Sequence, residues 1–121
     1  MKKKILIVDD CKTTRKLLSF MLKSAGFDTI EAVNGLMALE KLAFNEVDLI
    51  LTDLNMPKMD GLELIKEVRN YEDFKHIPII MVTTEADEDH KKRGLSLGAN
   101  AYLTKPVSKE VLVNTVKQFI K

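Results

Sequence analysis

The sequence predicts an α/β fold: one doubly wound parallel sheet of five short strands, each followed by a helix, with helices on both faces. Three observations lead there. Short apolar runs rich in β-branched residues alternate with longer stretches of helical period. The strand-like runs are apolar without alternation, as in strands covered on both sides. No linker, repeat or low-complexity segment interrupts the 121 residues, which make one domain spanning 1–121.

The first strand is Ile5-Leu6-Ile7-Val8. Leu17, Leu18, Met21, Leu22 and Ala25 then fall on one helical stripe, and Gly26 stops that helix. Thr29-Ile30-Glu31-Ala32 is half polar, as an edge strand can be. Asn34-Gly35 turns the chain into a short helix expected to bury Leu36, Leu39, Leu42 and Ala43. Leu49-Ile50-Leu51-Thr52 is the third strand, and the next helix directs Leu62, Ile65 and Val68 inward. Pro78 stands acceptably ahead of the fourth strand, Ile79-Ile80-Met81-Val82. A charged helix is expected over 87–97, with Gly94 as a weak point and Gly98 as its cap. The fifth strand, Ala101-Tyr102-Leu103-Thr104, precedes Lys105-Pro106. Ser108 then caps a helix carrying Val111, Leu112, Val116, Phe119 and Ile120. Right-handed crossovers leave two favoured strand orders, 2-1-3-4-5 and 3-2-1-4-5. The half-polar second strand suits the edge place it has in the first.

Composition narrows the function classes. Nineteen basic residues balance eighteen acidic ones, so there is no footprint for nucleic acid and no polybasic membrane face. Lys2-Lys3-Lys4 reads as a solvated start. The one cysteine, Cys11, cannot form an internal disulfide, and no secretory segment is present, so a cytoplasmic setting is expected. Ile5 to Val8 is too short for a membrane span or a signal core. No His/Cys spacing suggests zinc. His76 and His90 read as surface residues, and Met56 and Met81 as packing.

The residues with chemistry collect at strand ends. Strand one ends in Asp9-Asp10, strand three in Asp53, strand four in Thr83-Thr84, and strand five runs into Lys105-Pro106. A parallel sheet presents all these ends on one rim, where ligands bind near the reversal of strand order. In the 2-1-3-4-5 order Asp9, Asp10 and Asp53 meet at that point. Two like charges about 5 Å apart cost about 3 kcal/mol at an effective dielectric near 20. Protonation is one relief. A hard divalent cation is another, and Mg²⁺ takes such oxygen ligands together with phosphate. A cation, the Lys105 ammonium and the Thr83 hydroxyl around one carboxylate would receive a phosphoryl group. Each residue alone has a plainer reading. Asp10 could cap the first helix, and Asp60-Gly61 reads as a turn and helix start.

The motifs ILIVDD, DLILTDLNMPKMDG, IPIIMVTTEAD and GANAYLTKPV occur in this order across essentially the whole chain. In them the sequence resembles the receiver domain of bacterial two-component response regulators, specifically the stand-alone, chemotaxis (CheY-like) type. The resemblance implies the flavodoxin-like fold in the order 2-1-3-4-5, an order for which CheY itself is a known example. It implies that Asp53 accepts a phosphoryl group from a histidine kinase. Asp9, Asp10, Asp53 and the backbone carbonyl of Asn55 would hold Mg²⁺, for which Mn²⁺ can substitute. Thr83 and Lys105 would contact the phosphoryl group, and Tyr102 would be the aromatic switch. Asn55 and Glu85 would tune dephosphorylation, and the Lys105-Pro106 bond would be cis. The output face would comprise 87–97, 101–104 and 108–120. The chain would then be a monomeric signalling protein, not a metabolic enzyme, that catalyses its own phosphorylation and dephosphorylation. Expected partners are the kinase, an output protein such as a flagellar motor switch, and an accessory phosphatase.

Other readings remain. The chain could be a phosphorelay intermediate or a receiver from a larger regulator. A Mg²⁺-dependent aspartyl phosphohydrolase would want a second acid two residues after its nucleophile, where this chain has Asn55. An FMN-binding module would want a loop rich in Gly, Ser and Thr after strand one, where this chain has Asp9-Asp10-Cys11-Lys12.

Overall fold

The computed structural model describes residues 2–84 and 88–120. Strands β1 (Lys4–Val8), β2 (Asp28–Ala32), β3 (Leu49–Thr52), β4 (Ile79–Thr83) and β5 (Ala101–Thr104) alternate with five helices. These are α1 (Lys12–Ser24), α2 (Gly35–Phe44), α3 (Gly61–Asn70), α4 (Glu88–Leu97) and α5 (Lys109–Phe119). All strand pairs are parallel and the order is β2-β1-β3-β4-β5. The half-polar β2 is at one edge, as its sequence suggests.

The continuous apolar runs follow from burial on both faces. Leu6, Val8, Ile50, Ile79 and Met81 pack one way, against Ala38 and Leu42 of α2 and Leu64, Ile65 and Val68 of α3. Ile5, Ile7, Leu49, Leu51, Ile80 and Val82 pack the other way, against Leu18 and Leu22 of α1 and Leu112, Val113 and Val116 of α5. Each such aliphatic side chain contributes about 1.5–3 kcal/mol when fully withdrawn from water.

The helix starts follow local chemistry. The Asn34 side chain accepts from the Met37 N–H, and the Ser108 hydroxyl accepts from the Val111 N–H. Asp60 accepts from the Glu63 N–H at 2.9 Å while Glu63 reaches back to the Asp60 N–H, a complete capping box. Asp60 is thus a helix cap, as its turn-like context implied.

Several inward assignments do not hold. Leu17, Leu36 and Val111 are about half exposed, and Ala43 is exposed too. Ala38, Leu64 and Val113 fill the core places instead. Gly94 is not a weak point. It is buried, and a Cβ there would collide with the Met81 sulfur, so the gap lets α4 lie close on β4. Gly98 has φ +121° at the end of α4, as a capping glycine should. His90 is half-buried, whereas His76 is exposed. The start of the fourth helix at Asp87 lies outside the described residues, as does Glu85.

Gly61 is the tightest backbone contact. A Cβ there would meet the Asp53 carbonyl oxygen and would lie 2.8 Å from Leu54 Cα, both backbone atoms. Gly61→Ala is therefore expected to destabilise the fold by about 1–3 kcal/mol in urea unfolding, because backbone cannot step aside. Gly94→Ala should cost less, since its obstacle is the flexible end of Met81.

Candidate functional site

The sheet register builds the site. Val8 pairs with Thr52 across β1 and β3, so the next residues, Asp9 and Asp53, emerge side by side. The Asp53 N–H donates to the Val8 carbonyl at 2.9 Å, and the Asp9 N–H donates to that of Ala32 at 3.1 Å. Both backbones are fixed by a ladder bond at the point where the strands end. Carboxylate oxygens of Asp9, Asp10 and Asp53 lie within 4.8 Å of one another. Asp9 is 1% exposed, Asp53 is half-buried and Asp10 faces solvent.

Asp10 does not cap α1. Cys11 occupies the N-cap position without a side-chain hydrogen bond, and the Cys11 N–H donates to Asp9 Oδ1 at 2.8 Å. The other oxygen, Asp9 Oδ2, takes the Lys105 ammonium at 2.6 Å. Lys105 Nζ is also 3.5 Å from Asp53 Oδ2. The lysine thus spans the two carboxylates and leans toward Asp9. Asp53 Oδ1 accepts from the Leu54 N–H at 2.8 Å, which fixes the plane of the carboxylate.

Burial pushes the Asp53 carboxyl above the usual carboxylate range. Lys105 opposes that shift and Asp9 adds to it. For Lys105 the largest effect is burial, which works against its charge. The Asp9 hydrogen bond and the field of Asp53 outweigh it and hold the ammonium above its usual range. Oxygens of three aspartates converge here, two of them beside the Lys105 ammonium, so the donor set suits a hard divalent cation and the site could bind one.

Thr83, Asn55 and Tyr102 lie at the end of β4, in the loop after β3 and on β5. Thr83 is buried at the end of β4, and its carbonyl accepts from the Lys105 N–H at 2.9 Å. The Lys105-Pro106 peptide is cis, as the resemblance implied. Asn55 is exposed in the loop after β3, where Lys58 takes a positive φ of 67°. Tyr102 is farther from the carboxylates, on β5, and is 41% exposed. Thr83 and Tyr102 line one cavity of about 120 Å³ together with Leu54, Met81 and Thr104.

Sequence reasoning missed Arg15. Its Nη1 donates to the Asp9 carbonyl at 2.9 Å and its Nε pairs with Glu31 at 3.0 Å. Lys16 holds the other Glu31 oxygen at 3.1 Å. Burial works against the charge on Glu31, but Lys16 and Arg15 overcome it and lower its pKa. The signal was a glutamate in a strand next to the first, which invites a cation from the helix above.

A family model described as the response regulator receiver domain matches residues 5–117. Chemotaxis protein CheY1 of Helicobacter pylori is 43% identical over 111 residues, covering 90% of each chain. The sensor histidine kinase CheAY of the same organism is 42% identical over 119 residues. That match covers 97% of this chain, which spans only 15% of the kinase's length. Among solved structures, chemotaxis response regulator CheY4 of Vibrio cholerae superposes with a TM-score of 0.92 at 37% identity, covering 99% of this chain and all of that one. With that family's fold, its strand-end carboxylates and a match across nearly its whole length, the chain belongs to the response regulator receiver domains of two-component signalling.

Proposed function

We propose that the chain is a phosphorylation-activated switch in which Asp53 accepts a phosphoryl group from the phosphohistidine of a histidine kinase. The placement of Asp53 carries this reading. It is a half-buried carboxylate at the end of a central strand, with Oδ1 tied to backbone and Oδ2 facing an ammonium. Asp53 Oδ2 attacks phosphorus, a P–O bond forms, the P–N bond breaks, and the imidazole keeps the electron pair. Such transfers depend mainly on positioning and electrostatics. Lys105 turns from Asp9 toward the phosphoryl oxygens, and the Thr83 hydroxyl donates to one of them. Asp9, Asp10, Asp53 and the Asn55 carbonyl would hold Mg²⁺, or Mn²⁺ in its place, whose chemistry is to neutralise charge on the phosphoryl oxygens.

Water then attacks the acyl phosphate, so the protein resets itself. Asn55 and Glu85 tune that step, and polar Asn55 leaves room for the water. The protein acts as a signalling device whose only reactions are its own phosphorylation and dephosphorylation. Its output face comprises α4, β5 and α5, where Leu95, Tyr102 and Val111 are each at least 40% exposed. Likeness to chemotaxis proteins along most of the chain supports a chemotaxis role with a flagellar motor switch as output, and an accessory phosphatase. Among the described residues no helix is long and apolar enough to cross a membrane. On this reading residues 1–121 form one cytoplasmic, monomeric domain. The match to a segment of a longer kinase favours a second reading, a receiver within a larger regulator or phosphorelay.

Acetyl phosphate with Mg²⁺ is expected to label the chain at Asp53, and Asp53→Asn to abolish the label. Undiminished labelling at another residue would refute the assignment. The phosphorylated form should decay well within hours at neutral pH, and persistence for many hours would sink the role given to Asn55.

Stability offers an independent check. A raised folded pKa means that folded Asp53 holds its proton more tightly than the unfolded chain does. Stability is then lost as pH rises from the ordinary carboxylate value of about 3.9 through the folded pKa. Asp53→Asn removes that loss. Without divalent cation it should raise the urea midpoint at pH 7, and the gain should vanish below about pH 3.9.

Lys105→Met acts the opposite way, because it strands the buried Asp9. It should cost about 3–5 kcal/mol in urea unfolding at pH 7. Millimolar Mg²⁺ should recover part of that loss, and no recovery would count against cation binding by these carboxylates.

A further inference from the structure

Tyr102 is held from one side. Its hydroxyl accepts a hydrogen bond from Lys91 Nζ at 2.9 Å, and the same ammonium stands 4.2 Å from the ring centroid. Glu88, one turn earlier on α4, pairs with Lys91 at 2.9 Å. The 120 Å³ cavity beside the ring reaches Thr83 at the end of β4. We infer that Lys91, braced by Glu88, is a latch that keeps Tyr102 outward and so sets the resting bias of the switch. This rests on the reading of Tyr102 as the switch residue.

The contacts are those of the outward ring, beside a cavity that Glu88 and Lys91 line together with Thr83. If the ring turned into the cavity toward Thr83, its hydroxyl would leave the ammonium and the face contact would be lost. Interactions made in one state and not in the other bias a two-state equilibrium, and equal interactions do not. Both the charged hydrogen bond and the cation–ring attraction therefore favour the outward state. The Tyr102 hydroxyl and then Glu88 hold Lys91 above the usual lysine range, so the ammonium is charged at neutral pH. Lys91 is a positioning residue. It acts on the switch through Tyr102, and its carboxylate partner is Glu88, whereas Asp9 and Asp53 pair with Lys105.

The test uses the full chain with fluorotyrosine in place of its two tyrosines, read by ¹⁹F NMR, with Tyr71→Phe to assign Tyr102. Lys91→Met keeps the aliphatic stem and removes the charge. Without phosphoryl analogue, it should move the Tyr102 resonance toward the position that beryllofluoride produces in the unsubstituted chain. The beryllofluoride concentration for half-saturation should fall by roughly threefold to tenfold, since apparent affinity scales with the competent fraction. Glu88→Gln should do the same to a smaller extent, and Lys91→Arg should restore unsubstituted behaviour. An unmoved Tyr102 resonance in a folded Lys91→Met protein overturns the latch. A resonance that moves in Lys91→Met but never with beryllofluoride overturns the switch reading, and with it the proposed bias.

Discussion

Uncompensated negative charge at the end of a buried sheet is the constraint on which the site depends. Parallel order puts Asp9 and Asp53 side by side, and their ladder bonds keep them there. The fold cannot relax the repulsion by moving backbone, so it is offset by what reaches in. Lys105 does so from the far end of the chain, with its side chain on Asp9 and near Asp53 and its backbone N–H on Thr83. One residue thus ties the ends of β1, β3 and β4 to the segment that follows β5. Arg15 adds a second cation beneath Asp9, held in place by Glu31. This arrangement explains why burial can dominate at Asp53. The nearest ammonium is committed more closely to Asp9, and Asp53 keeps a carboxyl that is costly to ionise until further positive charge arrives.

The strands were legible because the central β1, β3 and β4 are covered on both faces and keep uninterrupted apolar runs, while the residues left two strand orders open, between which the half-polar β2 and the family resemblance chose. The helix faces were less legible. Leu17, Leu36 and Val111 were assigned inward because they are large and apolar on the expected stripe. A helix laid on a sheet buries only its closest ridge, and small residues fit closest. Ala38, Gly61 and Gly94 occupy such contacts, and a reading weighted by hydrophobicity passes over them. Gly94 shows the point most clearly, since a supposed flaw in a helix is where Met81 packs.

For the site, residue types at strand ends were enough to assemble the acidic centre. What they could not reveal was how one lysine divides itself between two carboxylates, because that depends on rotamers and on distances differing by less than 1 Å. Arg15 was hidden for a related reason. Its partner atoms belong to a backbone carbonyl and to a strand away from the centre, and neither forms a motif. The Lys91 contact with Tyr102 depends likewise on how closely α4 approaches β5.

That approach is fixed at the far end of α4. Arg69, in the last turn of α3, donates to the Gly98 carbonyl at 3.0 Å, to the Ile77 carbonyl at 2.7 Å and to the Asn100 side chain at 2.9 Å. Asn100 Oδ1 also accepts from the Ile79 N–H, so the end of α4 and the start of β4 share one anchor. Burial lowers the Arg69 pKa, yet a guanidinium remains charged and can hold several carbonyls at once. In the middle of α4, Gly94 is packed against Met81. The opposite end carries Glu88 and Lys91, which meet the cavity shared by Thr83 and Tyr102. The proposed switch residues Thr83 and Tyr102 therefore meet α4 at its N-terminal end. Arg69 holds the other end, so under the proposed switch the contacts around Tyr102 are where a second state would differ, with the Gly98 end of α4 kept in place.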